Sequence, residues 1–265
     1  MYIDIHSHVI PYVDDGAKDI EIALQMLKIA ADHGTAHIIA TPHYISGNIE
    51  NTSSLVLENC NNLEQLVYEK GLDIIIHPGC EVFISPDIVE LYEKKVICTL
   101  NNSSYMLIEL PMMSIPPYIN SVLYDLQLRG IIPVIAHPER NSEIRENPDI
   151  LKDLVKRGVL AQVNAGSITG IYGNGVKKTV IKLMKMGLAH FVASDAHTNR
   201  ERSPDLSKAA AIVEKVFGID TMHDMFINNG MKLLSNERIS SCLSQGETTK
   251  STLLKVIINK IASIF

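Results

Sequence analysis

A chain of 265 residues with 46% hydrophobic and 20% charged content has the make-up of an ordinary globular enzyme and enough apolar material for one barrel-sized α/β domain. Thirty acidic residues against 24 basic ones leave a net charge of -6, which excludes a general electrostatic footprint for a nucleic-acid backbone and leaves only a local basic patch open. Apolar runs such as Ile131 to Ala136 are far too short to span a bilayer, and Met1-Tyr2-Ile3-Asp4 lacks the basic and apolar regions of a secretory signal, so a cytoplasmic protein is expected.

Short apolar runs alternate with stretches of helical period, the pattern of parallel strands joined by crossover helices. Strands are predicted near Tyr2 to Ile5, Ala36 to Ala40, Asp73 to Ile76, Tyr105 to Ile108, Ile132 to Ala136, Leu160 to Val163 and His190 to Ala193. Between and after them, helices are predicted at Ile20 to Ala31, Ser53 to Lys70, Pro86 to Glu93, Pro117 to Leu128, Ile150 to Lys156, Lys177 to Met186 and Leu206 to Val216. Gly34, Gly71, Gly130, Gly158 and Gly187 follow helical stretches where a left-handed residue ends a helix. No linker divides residues 1–235, read as one domain. The tail, 236–265, is polar from Ser240 to Ser251 and then carries Leu253, Leu254, Ile257, Ile258, Ile261 and Phe265 at helical spacing, a terminal helix expected to pack on the barrel or on another subunit of a homo-oligomer. Cys60, Cys80, Cys98 and Cys242 have neither zinc-knuckle nor disulfide-scaffold spacing, in keeping with a reducing compartment.

The strand ends carry the chemistry. His6-Ser7-His8 and Asp195-Ala196-His197 are pairs at spacing two, which on a strand places both side chains on one face. His43, Glu109 and His137 close three other runs, and Glu81 lies just beyond a fourth. In a parallel barrel all of these fall at the C-terminal rim, where active sites sit. Imidazole and carboxylate without thiolate suit catalytic Mn²⁺, Fe²⁺ or Zn²⁺ better than structural zinc. A polynuclear centre and hydrolytic chemistry are therefore expected. Asp14 and Asp15 are both placed to contribute, and either could instead cap the helix beginning near Asp19. Arg140, Arg200 and Arg202 follow the ligands and suit recognition of phosphate oxygens. The isolated His33, His37, His77, His190 and His223 are read as surface or hydrogen-bonded core residues.

Asp4-Ile5-His6-Ser7-His8, Val13-Asp14-Asp15-Gly16, Thr41-Pro42-His43, Gly79-Cys80-Glu81, Ile108-Glu109, Ala136-His137-Pro138-Glu139-Arg140 and Ser194-Asp195-Ala196-His197 together resemble the polymerase and histidinol phosphatase (PHP) superfamily. Within it the chain is most similar to the CpsB/CapC group of bacterial protein-tyrosine phosphatases, up to about Lys232. The resemblance implies a distorted seven-stranded (β/α)7 TIM-like barrel of PHP type holding three divalent metal ions, commonly Mn²⁺. It assigns His6, His8, Glu81 and Asp195 to one ion, Glu81, Glu109 and His137 to a second, and Asp15, His43 and His197 to a third. Glu81 bridges, Arg140 and Arg202 hold the phosphoryl group, and Arg200 has no counterpart. Acidic residues at Asp15 and Glu109 favour the tyrosine phosphatases over the histidinol phosphatases. The implied substrate is a phosphotyrosine protein, the tail of a bacterial tyrosine autokinase that controls capsule or exopolysaccharide synthesis.

Thiolate phosphatases pair a cysteine with an arginine six residues later, but those positions hold Leu66, Pro86, Ser104 and Thr248, so an activated water is the expected nucleophile. Histidinol phosphate or another small phosphomonoester is the alternative substrate; a nuclease and a non-catalytic binding module are the more distant readings.

Overall fold

The buried run Tyr2–Ser7 forms β1, the first of ten strands in the computed structural model, which describes residues 1–240. β2 (Thr35–Ala40), β3 (His43–Ile45), β4 (Ile49–Glu50), β5 (Ile75–Pro78), β6 (Glu81–Phe83), β7 (Tyr105–Glu109), β8 (Ile132–Ala136), β9 (Leu160–Asn164) and β10 (Phe191–Ala193) follow. The predicted tail helix from Leu253 to Phe265 lies outside the described residues.

Pairing is parallel throughout except between β3 and β4. One sheet runs β1-β2-β5 and the other β10-β9-β8-β7-β6-β3-β4. Beyond them, Ser7 bridges Ala196, the Asp195 N–H donates to the His6 carbonyl (2.9 Å), and the His8 N–H donates to the Ala196 carbonyl (2.8 Å). The first strand is thus tied to the segment that follows the last.

More strands form than the seven that periodicity predicts, because two predicted strands break and resume. Pro42 has no N–H to donate to a ladder, and it separates β2 from β3. Gly79 separates β5 from β6 where the chain presses so close to its neighbours that an added Cβ would lie 2.8 Å from Ile39 Cγ2. β4 is a two-residue return strand paired with β3. At two or three residues, β3, β4 and β6 are too short to give a periodic signal.

The strands bury both faces. Ile3, Ile5, Ile39, Tyr105, Leu107, Val134, Leu160 and Phe191 pack together on one side. Their alternates, such as Ile38, Ala40, Met106, Ile108 and Ile135, pack against helices on the other. Two-sided burial explains why the strands read as continuous apolar runs. Helix α1 (Ile20–Asp32) shows the helical side of that contact: Ala23, Met26, Leu27 and Ala30 fall at helical spacing and are buried. Asp19 caps it, accepting from the Ile22 N–H at 2.9 Å, so neither Asp14 nor Asp15 is needed there.

All five predicted helix-ending glycines have positive φ, from 65° to 89°. The short helices Ser142–Glu146, Ala165–Thr169, Ile219–His223 and Asn229–Leu234 are additions to the predicted set. Past residue 235 the chain still touches the fold, since the Tyr105 hydroxyl donates to the Glu237 carbonyl at 2.6 Å. No helix of the described residues is long and apolar enough to cross a membrane.

Candidate metal centre

His6 and His8 point the same way from the end of β1, and each is held through its Nδ1. His6 Nδ1 lies 2.9 Å from Gln162 Oε1, and His8 Nδ1 lies 2.7 Å from Asp14 Oδ2. An acceptor at Nδ1 places the ring proton there and leaves the Nε2 lone pair facing inward. The two Nε2 atoms meet at 3.2 Å, and each is 3.2 Å from Glu81 Oε2. Asp195 Oδ1 stands 3.6 Å from both.

Glu81, first residue of β6, is fully buried at the middle of the constellation. Its Oε1 is 2.9 Å from His137 Nε2, and its Oε2 is 3.1 Å from His43 Nδ1. Glu109, at the end of β7, is 3.7 Å from both His137 and His43. On the other side, Asp15 Oδ1 reaches His197 Nε2 at 3.2 Å and His43 Nε2 at 3.5 Å. All nine predicted ligands therefore converge. Three sets bring their donor atoms within 4.8 Å of one another: His6, His8 and Glu81; His43, Glu81 and Glu109; and His8, Asp15, His43 and His197. The sharing is broader than the expected partition, with His8 and His43 each in two sets; His137, which lies against Glu81, and Asp195, which two arginines engage, are outside all three.

Asp14 and Asp15, which spacing left open and the resemblance resolved in favour of Asp15, divide the work between them. Asp14 faces away from the donors, receiving the Gly16 and His43 N–H groups at 2.9 and 3.0 Å while it holds His8. Asp15 faces the donors. Gly16 is required for this turn, since a Cβ there would sit 2.3 Å from the His8 carbonyl oxygen. His137 (φ 31°) and Asp195 (φ 50°) adopt left-handed backbone conformations, strain of about 1–3 kcal/mol each that commonly collects at functional sites.

The donors perturb one another strongly. Burial opposes charge on His6 and His8, yet Glu81 and Asp195 beside the first, and Asp14 and Glu81 beside the second, raise both above the ordinary imidazole range. Burial is likewise outweighed at His43, raised chiefly by Asp15 and Glu81. Burial alone would push Glu81 up, but His6, His137 and His8 hold it well below the usual carboxylate range. Glu109 goes the other way, raised by burial and by Glu81. Glu81 Oε2 and His43 Nδ1 are buried without a hydrogen-bond partner. Buried donors left without hydrogen-bond partners, within sets whose donor atoms lie close together, fit bound divalent cations, and the nitrogen and oxygen ligands suit Mn²⁺, Fe²⁺ or Zn²⁺.

Arg140 and Arg202 stand at the rim. Arg140 Nη1 donates to Asp195 Oδ2 at 3.1 Å, and Arg202 Nη2 donates to Asp195 Oδ1 at 2.9 Å. Asn164 Nδ2 donates to the same Oδ2 at 2.6 Å, and Gln162 Nε2 donates to Asn164 Oδ1 at 2.8 Å. Asn164 is recognisable in the sequence as a strand end but neither amide receives a role there, although Gln162 and Asn164 interrupt the apolar β9 at spacing two, the same signal that marked His6 and His8. Glu139 is buried behind them, accepting from the Asn164 N–H and the Ser167 hydroxyl at 2.9 and 2.6 Å. Arg200 is exposed and contacts none of the donors; it lines a cleft of about 550 Å³ with Lys18, His197 and Arg202. Cys60, Cys80 and Cys98 are free and buried, with the Cys80 and Cys98 sulfurs 3.0 Å apart.

Residues 2–235 match the family described as capsular polysaccharide synthesis, CpsB/CapC. The chain belongs to the CpsB/CapC family. Among CpsB/CapC relatives it is 40% identical over 237 residues to the tyrosine-protein phosphatase YwqE of Bacillus subtilis, covering 89% of this chain and 93% of that one. It is 32% identical over 242 residues to the tyrosine-protein phosphatase CpsB of Streptococcus pneumoniae, covering 89% of this chain and all of the relative. A crystal structure from work on YwqE of B. subtilis and CpsB of S. pneumoniae, described as metal-dependent tyrosine phosphatases, superposes with a TM-score of 0.87 at 39% identity, covering 90% of this chain and 96% of that one. A β-aspartyl dipeptidase of Fervidobacterium islandicum superposes at 0.52 with 11% identity over 88% of this chain and 74% of its own, a likeness of fold alone.

Proposed function

We propose that this CpsB/CapC chain is a protein-tyrosine phosphatase dependent on divalent cations. The convergence of the His6 and His8 Nε2 atoms on Glu81, each ring fixed from behind by Gln162 or Asp14, carries the reading. The names and structure of its relatives support the phosphotyrosine substrate. His6, His8, Asp15, His43, Glu81, Glu109, His137, Asp195 and His197 would hold up to three ions, Mn²⁺ first among them. When bound, such ions neutralise phosphoryl charge and make water nucleophilic near neutral pH.

The protein's own groups supply orientation. Arg140 and Arg202, now spread over Asp195, present guanidiniums that can take the phosphoryl oxygens of an entering monoester and stabilise charge as the bond to the tyrosyl oxygen breaks. A phenol with a pKa near about 10 leaves without a strong general acid. The bonds joining β1 to the segment after β10 support one distorted (β/α)7 barrel over residues 1–235. Cysteine spacing that matches no disulfide scaffold supports a cytoplasmic setting. The family's place in capsular polysaccharide synthesis supports a tyrosine autokinase of that system as the substrate protein.

The test is elemental analysis with phosphatase assays on wild type and His137→Ala, offering phosphotyrosyl peptide and histidinol phosphate. Turnover of the peptide, lost in the variant together with part of the metal, is expected. Exclusive turnover of histidinol phosphate would replace the substrate, and undiminished turnover by His137→Ala would remove His137 from the centre.

A further inference from the structure

Tyr172 is a half-buried ring with no part in the donor constellation, between the helices Ala165–Thr169 and Gly173–Lys185. The Arg140 guanidinium carbon sits 4.7 Å from the ring centroid, a cation–π arrangement. On another side the ring lies so close to Gly166 that a Cβ there would be 2.9 Å from Tyr172 Cε2. Glycine at 166 is what lets the ring occupy this place. The same ring walls a cavity of about 300 Å³ that Arg202 and Ser194 also line. Burial and Asp195 push the Tyr172 hydroxyl up, and Arg202 and Arg140 oppose the shift, so the side chain lies in the field of the very groups at the rim.

We infer that Tyr172 is a positioning residue for the phosphoester: its ring holds the Arg140 guanidinium at the mouth of the centre so that Arg140 can exchange Asp195 for a phosphoryl oxygen. The inference rests on the proposed role of Arg140. Arginine is long and rich in rotamers, and Arg140 has one hydrogen bond to an oxygen of Asp195 that Asn164 already serves. When that bond is given up to a ligand, Asn164 keeps the carboxylate oxygen paired, while the aromatic face keeps the guanidinium from swinging into solvent. Tyr172 needs no contact with the reacting atoms, and the ring, not the hydroxyl, does the holding.

The experiment compares wild type, Tyr172→Phe, Tyr172→Leu, Gly166→Ala and Arg140→Ala in the cation-loaded protein, measuring kcat and KM on a phosphotyrosyl peptide, the inhibition constant of inorganic phosphate, and metal content. Tyr172→Leu should raise KM and the phosphate inhibition constant about three- to thirty-fold, the range of a partly desolvated cation–π contact, with a smaller change in kcat and full metal content. Tyr172→Phe should stay near wild type. Gly166→Ala, which displaces the ring without removing it, should move the same constants in the same direction. An unchanged phosphate constant in Tyr172→Leu, with a raised one in Arg140→Ala, would overturn the inference and leave Arg140 in its role. An unchanged constant in Arg140→Ala would overturn that role and this inference with it, and a Tyr172→Phe as impaired as Tyr172→Leu would shift the effect to the hydroxyl and overturn the holding by the ring.

Discussion

His190 should make the protein acid-sensitive independently of the donor constellation. It is buried just ahead of β10, its Nδ1 accepts the Ala161 N–H at 3.1 Å, and burial lowers it from 6.5 to about 4. A protonated ring could not accept that bond, so the folded state keeps the imidazole neutral while the unfolded chain charges it at its ordinary value. The unfolded state therefore binds the extra proton, and stability falls as pH drops from about 6.5 towards 4. The loss is roughly 2 kcal/mol at about pH 5 and roughly 3 kcal/mol at about pH 4, taking ~1.4 kcal/mol for each pH unit of displacement. Urea unfolding at neutral pH and near pH 5, run on wild type and His190→Gln in the same buffers, cancels the titration of the other histidines. Wild type should lose about 2 kcal/mol more than the variant on acidification. Parallel losses in the two proteins would refute the account of His190 as a buried neutral acceptor.

Asp14→Asn should weaken cation binding about 10–100-fold in a metal titration, because the carboxylate that orients His8 and makes its nitrogen more basic is gone. Gly16→Ala should keep the fold by circular dichroism yet lower phosphatase activity at least ~10-fold, since the new Cβ displaces the His8 backbone. Cation binding should release protons, and affinity should fall with pH, because His6, His8 and His43 have raised pKa values and must give up protons to become ligands. Calorimetric titration in buffers of different ionisation enthalpy reads this directly, and binding heats independent of the buffer would contradict it.

The parts of the centre that were legible in the sequence are those where a side chain follows directly from a periodic run. His6 and His8 continue the alternation of β1, and Glu109 ends β7. Glu81 was visible only as a carboxylate near a strand, because the chain breaks at Gly79-Cys80 and resumes in a three-residue β6 that carries no period of its own. Asp14 and Asp15 could not be separated by spacing, since a loop has no alternation to say which acid faces inward, and only the family resemblance singled out Asp15. The roles of Gln162, Asn164 and Tyr172 were not legible for a different reason: they exist only through partners far away in sequence, His6, Asp195 and Arg140.

The grip on β1 sets an order of events during synthesis. Its ladder to β2 is available early, but its other edge is completed by Ser194, Asp195 and Ala196. The first strand must wait, half-dressed, for a segment 190 residues further along. A nascent chain stalled before that segment would leave the edge of β1 that carries His6 and His8 without its pairing.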